Sequence, residues 1–166
     1  MQYTGTGTCV AVSAAVPATH NAVGFAALVY TELGELETVG EVNITHQAIN
    51  FTNLCSGRTS TSKGAEDGIT FDIGVAGDRT DAGQALMTTA RKSKTAQVSI
   101  RITEPSGDVV YLKAYVMGER IAGGAGPNDI RLNVYSIGVV APDDAEDDTA
   151  VIVLYTPPPP PPPPSS

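Results

Sequence analysis

Ala96-Gln97-Val98-Ser99-Ile100-Arg101-Ile102-Thr103 sets Ala96, Val98, Ile100 and Ile102 on one side of an extended chain and Gln97, Ser99, Arg101 and Thr103 on the other. Side chains alternate faces along a strand, so this pattern describes a β-strand with one buried face. Pro105-Ser106-Gly107-Asp108 follows with residues suited to a turn, and residues 109–117 resume as a long β-prone run. A hairpin is expected. Gly123-Gly124-Ala125-Gly126-Pro127-Asn128-Asp129 breaks the chain once more, and in residues 130–140 Ile130, Leu132 and Val134 alternate with Arg131, Asn133 and Tyr135. The spacing therefore predicts three consecutive antiparallel strands.

Upstream, residues 69–76 alternate Ile69, Phe71, Ile73 and Val75 against Thr70, Asp72, Gly74 and Ala76, and residues 8–13, 25–31 and 35–44 are further strand candidates. Six or seven strands imply a mainly β chain folded as a sandwich or partial barrel. One helix is expected, capped by Thr80 or Asp81 and running to Lys92 or Ser93, with Arg91, Lys92 and Lys94 near the negative end of its dipole. Its small residues Ala82, Ala85, Leu86, Thr89 and Ala90 are expected to lie against the sheet. Between residues 45 and 68 the alternation fails in a polar stretch rich in Ser, Thr, Asn and Gly. That stretch reads as a long loop, and a loop of this length in a compact domain is usually functional or ordered by a partner.

A chain of 166 residues fits one domain and one core. Hydrophobic residues make up 42% and charged residues 17%, a globular balance rather than a disordered one. The net charge of −8 is uneven, because Asp143, Asp144, Glu146, Asp147 and Asp148 crowd into one stretch. Lys and Arg cluster only at Arg91, Lys92 and Lys94, too little for a surface that grips phosphate backbones. The expected organisation is a body over residues 1–142, an acidic linker over 143–150 and a C-terminal arm over 151–166. Pro157 to Pro164 are eight consecutive prolines, a polyproline II rod of about 25 Å at about 3.1 Å per residue. Val151-Ile152-Val153-Leu154-Tyr155 is apolar and β-prone, and is expected to dock as an edge strand on its own or a neighbouring subunit. No run reaches the roughly 20 apolar residues that span a bilayer, and no leader pattern opens the sequence.

Chemistry is sparse. His20 and His46 have no Cys or carboxylate at ligand spacing, and no cofactor or metal is expected. Gly5-Thr6-Gly7-Thr8 and the 123–126 cluster lack the strand, loop and helix context of a phosphate cradle and read as turn glycines. Glu35 with Glu37 and Glu66 with Asp67 lie in polar surroundings that would not split their pKa values for acid–base work. Cys9 and Cys55 are read as reduced, partly buried thiols. The absence of a catalytic set shifts the reading from enzyme towards a structural or binding role.

The segment Gly77-Asp78-Arg79-Thr80-Asp81-Ala82-Gly83-Gln84-Ala85-Leu86, followed by the 96–103 strand, the Ser106-Gly107-Asp108 turn, the 109–120 strand and the Gly126-Pro127-Asn128-Asp129 turn before a last strand, resembles the siphophage tail tube (major tail) protein family. The resemblance covers about residues 3–141 and rests on order and spacing. It implies hexameric rings whose inner sheets close into a β-barrel around a lumen, stacked into a virion tail tube through which the genome is ejected. The partners implied are further copies of the chain, a tape measure protein and double-stranded DNA in the lumen, and terminator and distal tail proteins at the ends. The resemblance further implies no membrane partner and synthesis in the bacterial host cytoplasm.

Within that frame Thr70 and Asp72 are candidates to face the lumen, being the polar positions of an alternating strand. Asn53, Ser56, Arg58, Thr59, Ser60, Ser62 and Lys63 of the long loop are candidates for ring-to-ring stacking. The alternatives are a tail terminator or other tube-like ring component, and a receptor- or carbohydrate-binding β-sandwich. The absence of Trp and the scatter of six tyrosines speak against the last.

Overall fold

Fifteen residues, Val109–Gly123, form one long strand that organises the molecule. The computed structural model describes residues 6–124, 126–143 and 148–158. Residues 1–5, 125, 144–147 of the acidic linker and 159–166 lie outside them. Strands β1 (Cys9–Ser13), β2 (Thr31–Glu32) and β3 (Leu36–Val39) are followed by β4 (His46–Thr52), β5 (Thr59–Glu66) and β6 (Thr70–Ala76). After the helix come β7 (Val98–Thr103), β8 (Val109–Gly123), β9 (Arg131–Val139) and β10 (Ala150–Val153). Helix α1 spans Ala22–Ala26 and α2 spans Ala82–Lys92.

The main sheet runs β2-β1-β7-β8-β9-β6-β3, with β10 added on β8. Strand β8 serves two partners in succession: Val109 to Ala114 pair with β7, and Ala114 to Gly123 pair with β9. A register shift between Val116 and Gly118 marks the bend, as expected where an extra residue increases local twist. The sheet therefore folds over itself as a partial barrel. Val10, Val12, Val98, Ile100 and Leu112 from one half meet Phe71, Ile73, Val75, Tyr135 and Ile137 from the other. Among the described residues of the single chain the sheet does not close into a barrel.

The three-strand unit is present as expected, consecutive and antiparallel. Helix α2 also lies where expected, with Asp81 as the cap whose carboxylate accepts from Gln84 N–H at 2.8 Å. Its orientation differs from the expectation. Gly83, Gln84, Met87 and Ala90 are buried, whereas Ala82, Ala85 and Thr89 face outward. Met87 buries far more apolar surface than the alanines do, and Gln84 satisfies two backbone groups, donating to Ala76 C=O and accepting from Asp78 N–H.

Three further expectations are corrected. Residues 25–31 do not form a strand: Asn21 caps α1 by accepting from Gly24 N–H, and Phe25 is buried in a stack on Tyr111 at 5.5 Å. Residues 45–68 are not a structureless loop but the β4–β5 hairpin, which forms a sheet of its own. Cys9 and Cys55 are free but exposed, one at the outward start of β1 and the other at the hairpin tip.

Candidate functional site

Two surfaces gather the residues singled out from the sequence. The first is the outer face of β6, β9 and the far part of β8. Phe71, Ile73 and Val75 point into the core, so Thr70 and Asp72 point away from it. Register sets Asp72 opposite Ser136 on β9, and Ser136 opposite Gly118 on β8. Asp72 consequently holds two partners: Ser136 Oγ donates to Oδ1 at 2.7 Å and Arg120 Nη2 donates to Oδ2 at 3.0 Å. Thr70 lies across from Gly138 on the same face. On this strip the carboxylate and guanidinium offset each other, Glu41 stands beside Thr70 and Asp72 as a further acid, and the exposed Met117 side chain lies over Gly138. Sequence reasoning missed Arg120, whose role requires the register across the sheet.

The second surface is the hairpin. The stretch from residue 42 to 65 carries Arg58 and Lys63 and no acid, in a chain of net charge −8. Asn53, Ser56, Arg58, Thr59, Ser60, Ser62 and Lys63 all lie on it and all are exposed. Its two faces differ. On one, Asn50 opposes Thr61 and Thr52 opposes Thr59, each pair joined by a side-chain hydrogen bond of 2.8 and 3.0 Å. On the other, Ile49 and Phe51 stand opposite Ser62 and Ser60, with Ile49 also lying over Gly64.

Ile49 is 56% exposed and Phe51 65%, an apolar ridge flanked by residues too small to cover it. Leu54 at the tip is 98% exposed. The tip is itself ordered: Asn53 Oδ1 accepts from Cys55 and Ser56 N–H, and Gly57, at φ +65°, donates back to Asn53 C=O. Ile49, Phe51 and Leu54 were absent from the sequence candidates. The signal that could have found them is Ile49 and Phe51 at alternate positions facing a Ser-x-Ser-x-Gly segment.

Among the described residues, no three His, Cys, Asp or Glu side chains gather as a metal-binding set. No described helix is long and apolar enough to cross a membrane.

No protein-family model and no curated protein matches the chain. Solved structures do. The SPP1 tail tube shares the fold with a TM-score of 0.64 at 12% identity, over 93% of this chain and 80% of the other. The sheath–tube complex of PVC, an extracellular contractile injection system, aligns with a TM-score of 0.59 at 10% identity, over 89% and 88% of the two chains. The sheath/tube terminator of the same system aligns at 0.61 and 10% identity, over 92% and 97%. At these identities the likeness is one of architecture, and the architecture is that of the tail tube.

Proposed function

We propose that this chain is the building block of a phage tail tube, closing as hexameric rings that stack around a lumen for genome ejection. The reading is carried by one observation: a tail-tube fold from which an ordered hairpin projects with its apolar ridge unpartnered by its own chain. An isolated two-stranded hairpin is marginal in water, and a contiguous exposed apolar face marks an interaction surface. A second copy in the adjoining ring would cover Ile49, Phe51 and Leu54. It would also supply acidic surface for Arg58 and Lys63.

Ring closure would proceed at the terminal strands β2 and β3, the ends of the sheet order. Pairing between subunits there removes open edges that otherwise template aggregation. The Thr70 and Asp72 face would line the lumen, where the pairing of Arg120 with Asp72 leaves no free cation to trap DNA phosphates. The tape measure protein would occupy that lumen before DNA, with terminator and distal tail proteins at the tube ends. The chain then acts in the virion, after synthesis in the host cytoplasm, with no catalytic role and no cofactor.

Concentrating the purified chain and imaging it by negative stain tests this directly. Hollow tubes of uniform width are expected, and deletion of residues 56–62 should leave rings or monomers. Compact monomers at every concentration, with or without a tail-tip initiator complex, would overturn the proposal. A second reading, a tube terminator, is supported by a fit to a terminator fold nearly as good as that to the tail tube; it would give single rings that cap tubes and never lengthen them.

A further inference from the structure

The core reaches the surface, uncovered, beside the root of the hairpin. Ile102 and Ala150 are buried members of the core cluster, and Val39, Val42 and Val110 are partly buried against it. With the exposed Ile44, two residues ahead of β4, they line a groove of about 430 Å³. Glu104, at the start of the β7–β8 turn, is the one charged side chain in its lining; it is exposed and forms no ion pair among the described residues. No residue of β4 or β5 lines this groove, so the chain does not fold its own ridge into it.

Two other cavities of similar size could receive an apolar ridge. One, of about 490 Å³, is lined by Asp78, Arg79, Glu119 and Arg131. Seating apolar side chains there would strip charged groups of water without supplying new partners. The other, of about 400 Å³ between α2 and the start of β7, is walled by Leu86, Ala90 and Val98. Its lining residue Ser93 stands between Lys92 and Lys94, with Arg91 just before them. A ridge that carries Arg58 and Lys63 would meet cations there, and like charges brought together at an interface cost affinity. Of the three, the groove beside Glu104 alone joins an apolar floor to an acidic rim.

The hairpin matches that combination. Phe51 and Leu54 are exposed towards its tip, and Arg58 closes the tip, its C=O accepting from Asn53 N–H at 2.9 Å. We propose that the groove is the socket for the hairpin of a second copy: Leu54 and Phe51 enter between Ile44, Ile102 and Val110, and Arg58 pairs with Glu104. Ridge and socket are different patches of one chain, so the contact is head to tail. Each copy gives one hairpin and receives one, and association propagates instead of stopping at a closed pair. The socket deepens the stacking reading and rests on it for its place in a tube, while the contact itself needs only two copies.

Charge reversal tests the pairing. Glu104→Arg and Arg58→Glu should each lower tube yield by about tenfold or more, and the two changes combined in one chain should restore it to within about threefold of the unaltered chain. Normal tubes in both single variants, or no recovery in the combined one, would overturn the socket and leave the tube reading standing. Normal tubes are also what a groove filled from within its own chain would give.

Disulfide trapping reads the contact directly, because the exposed Cys55 already lies next to Leu54 at the hairpin tip. Pro105 lines the groove beside Glu104 and is exposed. In a chain carrying Cys9→Ser and Pro105→Cys, mild oxidation should join Cys55 of one copy to position 105 of another, identified by mass spectrometry of the linked peptides. Thr89→Cys, in the cavity beside α2, should link only weakly, because a disulfide closes only when the two Cα atoms come within about 7 Å. Linkage at position 105 in chains that form no tubes would keep the socket and count against the tube reading. Absence of that link, or preferred linkage at position 89, would overturn the socket whether or not tubes form.

Discussion

The sheet body and the β4–β5 hairpin use the same antiparallel pairing for opposite ends. In the body, Ile73, Ile100, Leu112 and Ile137 are fully buried, and every strand has a neighbour whose side chains complete the core. In the hairpin no residue is buried, and the apolar side chains of Ile49 and Phe51 stand on the bare face. Burial of one aliphatic or aromatic side chain contributes roughly 1.5–3 kcal/mol, so the body holds its own stabilisation and the hairpin does not. What orders the hairpin in isolation is a threonine and asparagine ladder with a tightly bonded tip. Its apolar ridge contributes only when something covers it.

The largest expected effect that would break this contrast is a body mutation. Ile73→Ala removes a fully buried side chain from the core of the sheet, and should cost about 3 kcal/mol in urea unfolding of the monomer. Phe51→Ala should change that stability by less than about 0.5 kcal/mol, yet reduce tubes in micrographs to rings or monomers. A loss of stability in Phe51→Ala comparable to that of Ile73→Ala would mean that the hairpin packs on its own body.

Next in size, Asp72→Lys replaces a neutral pair with two adjacent cations. Tubes should form at normal yield while DNA ejection, followed by dye release from phage, slows or stops. Unchanged ejection would remove Asp72 from the lumen. Hydrogen exchange sharpens the comparison further: amides of residues 46–66 should exchange quickly in the monomer and become protected in tubes, while β7 to β9 stay protected in both.

The same contrast explains what could be read from the chain. Period two is visible only where one face is buried and the other wet, and β6, β7, β8 and β9 satisfy that condition. In β4 and β5 neither face is buried, so Thr59-Ser60-Thr61-Ser62 looked like loop composition although it forms a strand. Helix α2 was legible at its ends, through Asp81 and the basic last turn, but not in its facing, since Met87 and Gln84 outweigh an alanine stripe. Thr70 and Asp72 were legible as the polar positions of an alternating strand. Arg120, 48 residues away from Asp72, and the packing of the Tyr155 ring against Gly107 depend on tertiary register, which no local pattern encodes.

The smallest effect concerns the body alone and tests how tightly its outer layer is sealed. Tyr30 lies under Arg101, whose guanidinium carbon is 4.8 Å from the ring centroid, and beside Tyr111. Its hydroxyl is buried without a hydrogen-bond partner. Burial, and secondarily Tyr111, push its ionisation from 10.0 up to about 12, against the opposing pull of Arg101. The folded state thus favours the neutral phenol, while the unfolded chain ionises near the ordinary value. Stability from this site is complete below pH 10 and is lost as pH rises from 10 towards 12. Tyr135, raised chiefly by burial as well, adds to the same alkaline loss. Tyr30→Phe keeps the ring's contacts with Arg101 and Tyr111 and deletes the unpaired hydroxyl, so thermal unfolding should show about 1 kcal/mol gained at neutral pH and a flatter decline above pH 10. An unchanged alkaline slope, with neutral-pH stability lowered, would mean that the Tyr30 hydroxyl finds a partner in solution and that the layer beneath α1 is open to water.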